Sequence, residues 1–253
     1  MSVSIELRQR EETGSYQLID RVKPKGVGYT FYEVNDMKLY GADVCPFVHR
    51  TRLTLSEKAL DHEYVAIDLR NKPDWYHEVL PSGKVPLLEH NGHRIWESAI
   101  VCEYLEEAFP EPPLMPSEPG PRAEARIWID WISNTLVPTF YKLLMAQEPE
   151  DRKEHREKLE EALRKLESEG FQKGCWIFGE SLSLVDIEAY PWFERWPVLA
   201  HYRDFEIPPD LTRLRAWMTN MAERETVKSI AVDGSYYIEQ YDHYANPKQK
   251  QTA

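Results

Sequence analysis

The residues with the clearest chemical potential stand in "MKLYGADVCPFVHRTRLTL", Met37 to Leu55, where a single cysteine, Cys45, is followed at once by Pro46. An apolar strand pattern ends in a small loop just before them, and a helical pattern begins just after. Proline favours the first helical position, which places Cys45 at the N-cap. A thiol there faces unpaired backbone N–H groups at the positive end of the helix dipole, and both stabilise thiolate over thiol. Cysteines in such settings have pKa values of about 3.5–7.5 rather than about 8.5. His49, Arg50 and Arg52 could add positive potential. A disulfide oxidoreductase carries Cys-x-x-Cys, but the fourth position here is Val48. A one-thiol site must therefore borrow its second thiol from a small molecule. The competing reading is a cysteine that merely caps its helix.

The elements that must position this thiol follow from periodicity. "MKLYG" reads as a strand and "PFVHRTRLTLSEKALD" as a helix. "HEYVAIDL" is a β-rich strand, "KPDWYHEVL" a short irregular helix, and "VPLLEHNGHRIWE" a hairpin about Asn91-Gly92, a favoured type I′ pair. "SAIVCEYLEEAF" is an amphipathic helix. The order βαβαββα, with a parallel pair joined by a crossover helix and an antiparallel hairpin, is the plan of a thioredoxin-like domain. Residues 110–121, "PEPPLMPSEPGP", contain six prolines and form neither helix nor sheet, so they read as a linker.

Beyond the linker the pattern is helical. "ARIWIDWISNTLVPTFYKLLM" places Trp128, Trp131, Ile132, Thr135, Leu136, Phe140 and Leu144 on one face, with a kink expected at Pro138. In "EDRKEHREKLEEALRKLESEG" the stripe is Leu159, Leu163 and Leu166. The pairs Glu160–Arg164 and Glu161–Lys165 support its solvated face. In "GESLSLVDIEAY", Ser183 and Asp186 form a capping box that starts a buried helix. The fold class is therefore α+β with two domains: an N-terminal extension over 1–36, a thioredoxin-like domain over 37–109, the linker, and an all-helical domain over 122–253. Within the extension, "YQLID" and "VGYTFYEV" read as short extended pieces.

Bulk properties narrow the function classes. A net charge of −12 leaves no basic footprint for nucleic acid or for an anionic membrane surface. No apolar run approaches the roughly 20 residues of a membrane span, and the first residues lack a secretory core. Three sparse cysteines, Cys45, Cys102 and Cys175, form no disulfide framework and no zinc spacing. Cys102 and Cys175 read as small buried hydrophobes. A reducing, cytoplasmic setting is expected.

With those residues in view, "CPFVHRTRL", "LRNKPDWY", "GKVPLLEHNG", "ESAIVCEYL" and "GESLSLVDIEAYPWFERW" resemble the cysteine-type cytosolic glutathione transferases, the omega and lambda classes. The resemblance runs from about Met37 to Ile230 and implies the glutathione transferase fold, with glutathione as co-substrate. It implies that Phe47 helps shape the pocket floor, that Pro46 lines the acceptor side, and that Lys72 binds the glycyl carboxylate. A cis Val85-Pro86 step would turn the Val85 backbone toward the cysteinyl part. Glu97 and Ser98 would hold the γ-glutamyl end. The acceptor site would lie between the domains, with Tyr141, Trp192, Trp196, Tyr236 and Tyr237 as candidate lining. Where omega members often carry a tryptophan near the C-terminus, "VDGSYYIEQY" has only tyrosines. A homodimer is also implied.

The expected activity is glutathione-dependent thiol transfer or reduction, acting on mixed disulfides, disulfides, dehydroascorbate, or quinone- and carbonyl-type adducts. The alternatives are a glutathionyl-hydroquinone reductase-like enzyme and a non-catalytic glutathione-binding stress protein on the same fold. An intracellular chloride-channel type also shares the Cys-Pro-Phe start, but "HRTRLTLSEKALDHE" is too charged to insert into a bilayer.

Overall fold

In the computed structural model, which describes residues 37–247, the alternation that begins at Met37 becomes a four-stranded sheet flanked by helices. The expected extension over 1–36, with its two extended pieces, lies outside the described residues, as does the end of the tail. The order is β1 (Lys38–Gly41), α1 (Pro46–Glu57), β2 (Glu63–Ala66), α2 (Asp74–Val79), β3 (Leu87–His90), β4 (His93–Trp96) and α3 (Ser98–Ala108). This is the thioredoxin-like βαβαββα plan. The sheet order is β2-β1-β3-β4, with β1 parallel to β2 and antiparallel to β3. Asn91 and Gly92 both have positive φ, at 50° and 76°, as a type I′ turn between β3 and β4 demands. Gly41 is the last residue of β1, and a Cβ there would stand 2.5 Å from Val48 Cγ1, so the absent side chain lets α1 lie directly on the sheet.

The all-α part comprises α4 (Pro119–Trp131), α5 (Val137–Met145), α6 (Pro149–Lys165), α7 (Leu184–Glu194), α8 (Trp196–Arg203), α9 (Thr212–Glu223), α10 (Glu225–Lys228) and α11 (Gly234–Ala245). Between α4 and α5 the helix widens into a π turn over Ile132–Leu136, just ahead of Pro138. The proline lacks the N–H that would continue the α ladder, so the expected kink takes this form. Of the predicted apolar face, Thr135 is exposed, while Ile132, Leu136, Phe140 and Leu144 are buried. On α6 the Glu160–Arg164 pair forms at 2.7 Å, but Lys165 pairs with Glu169 instead of Glu161. Among the described residues, no helix is long and apolar enough to cross a membrane.

The proline-rich segment is held by polar groups rather than by a ladder. Residues 109–118 carry no helix or strand, and α4 starts at Pro119, inside the expected linker, with proline in its first turn. Lys58 Nζ, buried at the end of α1, donates to Phe109 O at 2.7 Å and Pro112 O at 2.9 Å. It also pairs with Glu106 at 2.7 Å. Glu106 in turn accepts the N–H groups of Leu114 and Met115. Segment backbone that cannot bond to itself is thus satisfied by one buried ion pair.

The start of α7 is fixed in the same way. Ser183 caps it, and the Asp186 carboxylate accepts from Ser183 N (2.8 Å), Ser183 Oγ (3.1 Å), Ile177 N (2.7 Å) and Trp217 Nε1 (2.8 Å). Replacing Asp186 by Asn turns one acceptor oxygen into a donor facing donors, which costs about 3 kcal/mol. The Tm of Asp186→Asn should fall by about 6–12 °C in differential scanning calorimetry. A Tm within about 2 °C of wild type would remove the box from this role.

Candidate functional site

Cys45 caps α1, and Pro46 occupies its first turn, as the sequence implies. The cap has extended backbone, with Cys45 N donating to Ala42 O at 2.9 Å and His49 N donating to Cys45 O at 3.1 Å. The sulfur makes no cap hydrogen bond of its own. It opens on a cavity of 770 Å³ between the sheet side and the helical side. One wall is Ala42 to Phe47 together with Tyr64 of β2 and the loop from Ile67 to Arg70. The other is Tyr141 of α5 with Tyr236, Gln240, Tyr241 and Tyr244 of α11. Arg70 Nη2 donates to Gln240 Oε1 at 3.2 Å and bridges the two walls.

The electrostatics depart from the sequence expectation of a depressed thiol pKa. Cys45 is only 9% exposed, and burial pushes its thiol up. The Phe47 and Val48 N–H groups, Arg195 and Arg50 pull it down, but less strongly. Reasoning from the helix start alone counts the dipole and omits desolvation, which penalises the charged form. The expected cationic neighbours also divide. Arg50 contributes. Arg52 is drawn off to Asp43 at 2.7 Å. His49, fully buried beside Arg195, is held well below the usual imidazole range and stays neutral.

Of the expected acceptor lining, Tyr141, Tyr236 and Pro46 reach the cavity, and Phe47, 37% exposed, joins them. Trp192, Trp196 and Tyr237 do not, because they belong to the core. Trp192 lies under Arg50, its ring centroid 4.5 Å from the guanidinium carbon, and meets Phe47 edge-on. Trp196 stacks on Phe193 and donates Nε1–H to Phe205 O at 3.1 Å. It lines a separate 930 Å³ cavity beside α8 and α9 that does not include Cys45. Tyr237 lies beneath Arg195 at 4.1 Å. A helical stripe read from sequence does not tell which aromatic faces a cleft and which faces a core. Cys175, expected buried, is exposed, and Cys102 is fully buried.

The expected glutathione-binding groups form no part of the cavity wall except Phe47. Val85-Pro86 is cis and precedes β3. Glu97, the cap of α3, has φ +67°, a conformation that costs energy for a non-glycine residue, and its exposed carboxylate pairs with Lys84 at 2.9 Å. Ser98, buried at the first turn of α3, accepts from Arg50 Nη1 at 3.3 Å. Lys72 is half-buried in the loop before α2. Pattern reading missed Arg195, Tyr64, Tyr241, Tyr244 and Gln240. Nothing in their local sequence marks them: Tyr64 comes to the cleft through the pairing of β2 with β1, and the others only through the packing of α7 and α11.

Burial of Cys45 predicts that iodoacetamide alkylation of the ligand-free protein titrates with a midpoint above the roughly 8.5 of a free cysteine. The reactive thiolate is then lost as pH falls through that raised value. A midpoint below about 7.5, from mass-spectrometric rates at Cys45, would show that the helix start outweighs burial.

Comparison with known proteins agrees with this architecture. Residues 39–113 match the glutathione S-transferase N-terminal domain, and residues 149–220 match the glutathione S-transferase C-terminal domain. The chain is 34% identical over 209 residues to the glutathione S-transferase omega-1 of Mus musculus, covering 82% of this chain and 85% of that protein. It is 32% identical over 203 residues to the omega-2 protein of Homo sapiens, covering 79% and 82%. Among solved structures, the glutathione transferase Omega 3C of Trametes versicolor superposes with a TM-score of 0.76 at 35% identity, covering 83% of this chain and 90% of that one.

Proposed function

The chain belongs to the glutathione S-transferase family, with the cysteine-type site of its omega- and lambda-like classes, and from that premise we propose that it is a thiol transferase working through a glutathione mixed disulfide at Cys45. Glutathione is its co-substrate. The observation that carries the mechanism is the placement of a lone thiol, with Val48 where a resolving cysteine would stand, at the helix start that opens on the cleft.

In the first step the Cys45 thiolate attacks the glutathionyl sulfur of a mixed disulfide. A Cys45–glutathione disulfide forms, the substrate S–S bond breaks, and the substrate thiolate leaves and takes a proton. Glutathione thiolate then attacks the glutathionyl sulfur on Cys45, releasing glutathione disulfide and restoring the Cys45 thiolate. Two glutathionyl units leave as one disulfide and the substrate is reduced by two electrons, so no further reductant is needed. The same two steps serve a small disulfide once glutathione has exchanged with it to give a mixed disulfide and one free thiol, and they serve glutathione adducts whose carbon leaving group accepts the electron pair and a proton.

Glutathione recognition rests on groups outside the acceptor cleft. Lys72 is a flexible cation for the glycyl carboxylate. The backbone of Val85 faces the cysteinyl part as an added strand would. The α3 N-terminus with Ser98 takes the γ-glutamyl carboxylate, and Glu97 takes its ammonium by exchanging its exposed pairing with Lys84. Tyr141 and Tyr236, with Tyr64, Tyr241 and Tyr244, line the acceptor side, which suits a flat, polarisable acceptor. We assign the protein to the cytoplasm and to a homodimer. Trp96, Ile100 and Ile127 are 46%, 57% and 68% exposed, and the Arg126–Glu103 ion pair brings the Ile127 and Ile100 surfaces of α4 and α3 side by side. A second copy is the occupant that face fits.

Cys45→Ala should lose nearly all reduction of hydroxyethyl disulfide yet bind glutathione in calorimetric titration, whereas Glu97→Ala should bind it about ten- to a hundredfold more weakly. Wild type should reduce hydroxyethyl disulfide much faster than it conjugates chlorodinitrobenzene. Retained turnover in Cys45→Ala, or faster conjugation than reduction, would sink the mechanism. For the dimer, Ile127→Glu should shift the mass in light scattering from about twice the chain to that of one chain, because it buries a charge in the shared face. A wild-type monomer at micromolar concentration would overturn the assignment.

A further inference from the structure

Arg195, the residue that follows α7, is fully buried and lies at the centre of a network that no local motif announces. Its guanidinium donates to Val44 O from Nε (3.4 Å) and from Nη2 (3.2 Å), and to Asp43 O at 3.3 Å. It also donates to Pro191 O at 2.8 Å and stands over the Tyr237 ring. Nη1 lies 3.1 Å from His49 Nδ1. A guanidinium can only donate, so Nδ1 is the acceptor and the imidazole proton is on Nε2. That nitrogen faces Glu194 Oε2 at 3.3 Å, and Glu194 Oε1 accepts from Tyr237 at 3.2 Å.

Among the described residues no carboxylate forms an ion pair with Arg195, the nearest charge balance being Glu194 across the neutral His49. Burying a charge without a direct partner costs several kcal/mol, and a well-packed apolar residue would avoid that cost. Stability therefore does not explain this residue. Its bonds do point at the chemistry: Asp43 and Val44 are the two residues directly before Cys45, and they come from the opposite side of the cleft.

We propose that Arg195 is the positioning residue of the thiol-transfer reaction, gripping the Asp43 and Val44 carbonyls that present Cys45 and so holding a fixed cation on the loop that carries the sulfur which becomes a thiolate. The proposal rests on the reading of Cys45 as the nucleophile. Arg50, on the same helix, also acts on the sulfur, and the other charged or titratable groups that line its cavity are Asp43, Asp68 and Arg70 of the loops, Tyr64 of β2, Tyr141 of α5, and Tyr236, Tyr241, His243 and Tyr244 of α11. Arg50 is already committed to Glu188 at 2.7 Å. The tyrosines keep their protons, since burial pushes Tyr64, Tyr141 and Tyr241 all upward. Of the two guanidiniums that pull the Cys45 thiol down, Arg195 is the one without a carboxylate ion pair. The planar fork also explains why arginine and not lysine stands here: it reaches three carbonyls and His49 at once, which one ammonium on a flexible stem does not.

The test is a pH profile of Cys45 alkylation by iodoacetamide in a Cys175→Ser background, which removes the exposed competing thiol. Arg195→Met should raise the midpoint by about one unit or more, so that alkylation near pH 7 slows about tenfold. Arg195→Lys should keep the midpoint within about half a unit, because the charge remains, while kcat for hydroxyethyl disulfide falls about tenfold with KM little changed. The double variant Arg195→Met, Glu194→Gln removes both buried charges and should show the same midpoint rise if Arg195→Met alone does not fold. A folded methionine variant with the wild-type midpoint would overturn the proposal. Should neither methionine variant fold, Arg195→Lys decides: wild-type kcat overturns the positioning role and a loss supports it. Alkylation needs no glutathione, so a failure of Arg195 is distinguishable from a failure of thiol transfer itself.

Discussion

The ion pair between Arg50 and Glu188 is the contact on which the rest of the site depends. Its atoms stand 2.7 Å apart, and the two side chains are 2% and 1% exposed. Arg50 sits on α1, five residues after Cys45, and Glu188 sits at the middle of α7. The same guanidinium donates to the Glu188 carbonyl, to Ser98 Oγ at the start of α3, and to Ser133 Oγ in the π turn. Burial pushes the Glu188 carboxyl up while Arg50 pulls it down. Such pairs add little net stability over apolar packing, but breaking one by removing a partner costs about 3–5 kcal/mol. The pair therefore selects one docking of α1 on α7 rather than deepening the fold in general.

That docking explains an otherwise odd helix. Helix α1 buries His49, Arg50, Thr51 and Thr54 along with Val48, Leu53 and Leu55, so it has almost no solvated face. A helix squeezed between a sheet and a helical layer needs partners for its charged side chains, and His49 and Arg50 find them in Glu188, Glu194 and Arg195 of α7 and its end, while Thr54 turns back to the Arg50 carbonyl. The consequence reaches Cys45. The enclosure that gives the thiol a dry, defined position also penalises its charge. Helix-start N–H groups and two buried guanidiniums oppose that penalty, and the reactivity of the sulfur is the balance of these terms.

The cleft shows the same division of labour. Five tyrosines and Phe47 define the cleft, while Trp192, Trp196 and Tyr237 stay in the core behind it. Tyr141 and Tyr241 stack with an interplanar angle of 11°, which joins α5 to α11 and gives the cleft a rigid aromatic wall. The exposed rings of Phe47 and Tyr244 and the Arg70–Gln240 bridge lie at its polar margin. Rigid aromatic surface with few mobile polar groups orients a flat acceptor at small entropic cost.

Much of this molecule was legible before any coordinates. Strand alternation, the Asn91-Gly92 turn, the Cys45-Pro46 helix start and the Ser183–Asp186 box are local signals, set by backbone sterics and by hydrogen bonds within a few residues. They determine the βαβαββα order, the helical second part and the place of the Cys45 thiol. The motifs around them carried the family resemblance. What only the tertiary structure decided was every property that depends on what faces what. Desolvation reversed the expected shift at Cys45, and burial kept His49 neutral. Packing sent Trp192, Trp196 and Tyr237 inward while bringing Tyr64 and Tyr241 to the cleft. Arg195 reached a loop some 150 residues away in the chain (|i−j| of 151 and 152 to Val44 and Asp43). Electrostatic and burial effects act through space and not along the chain, so no periodicity or spacing encodes them.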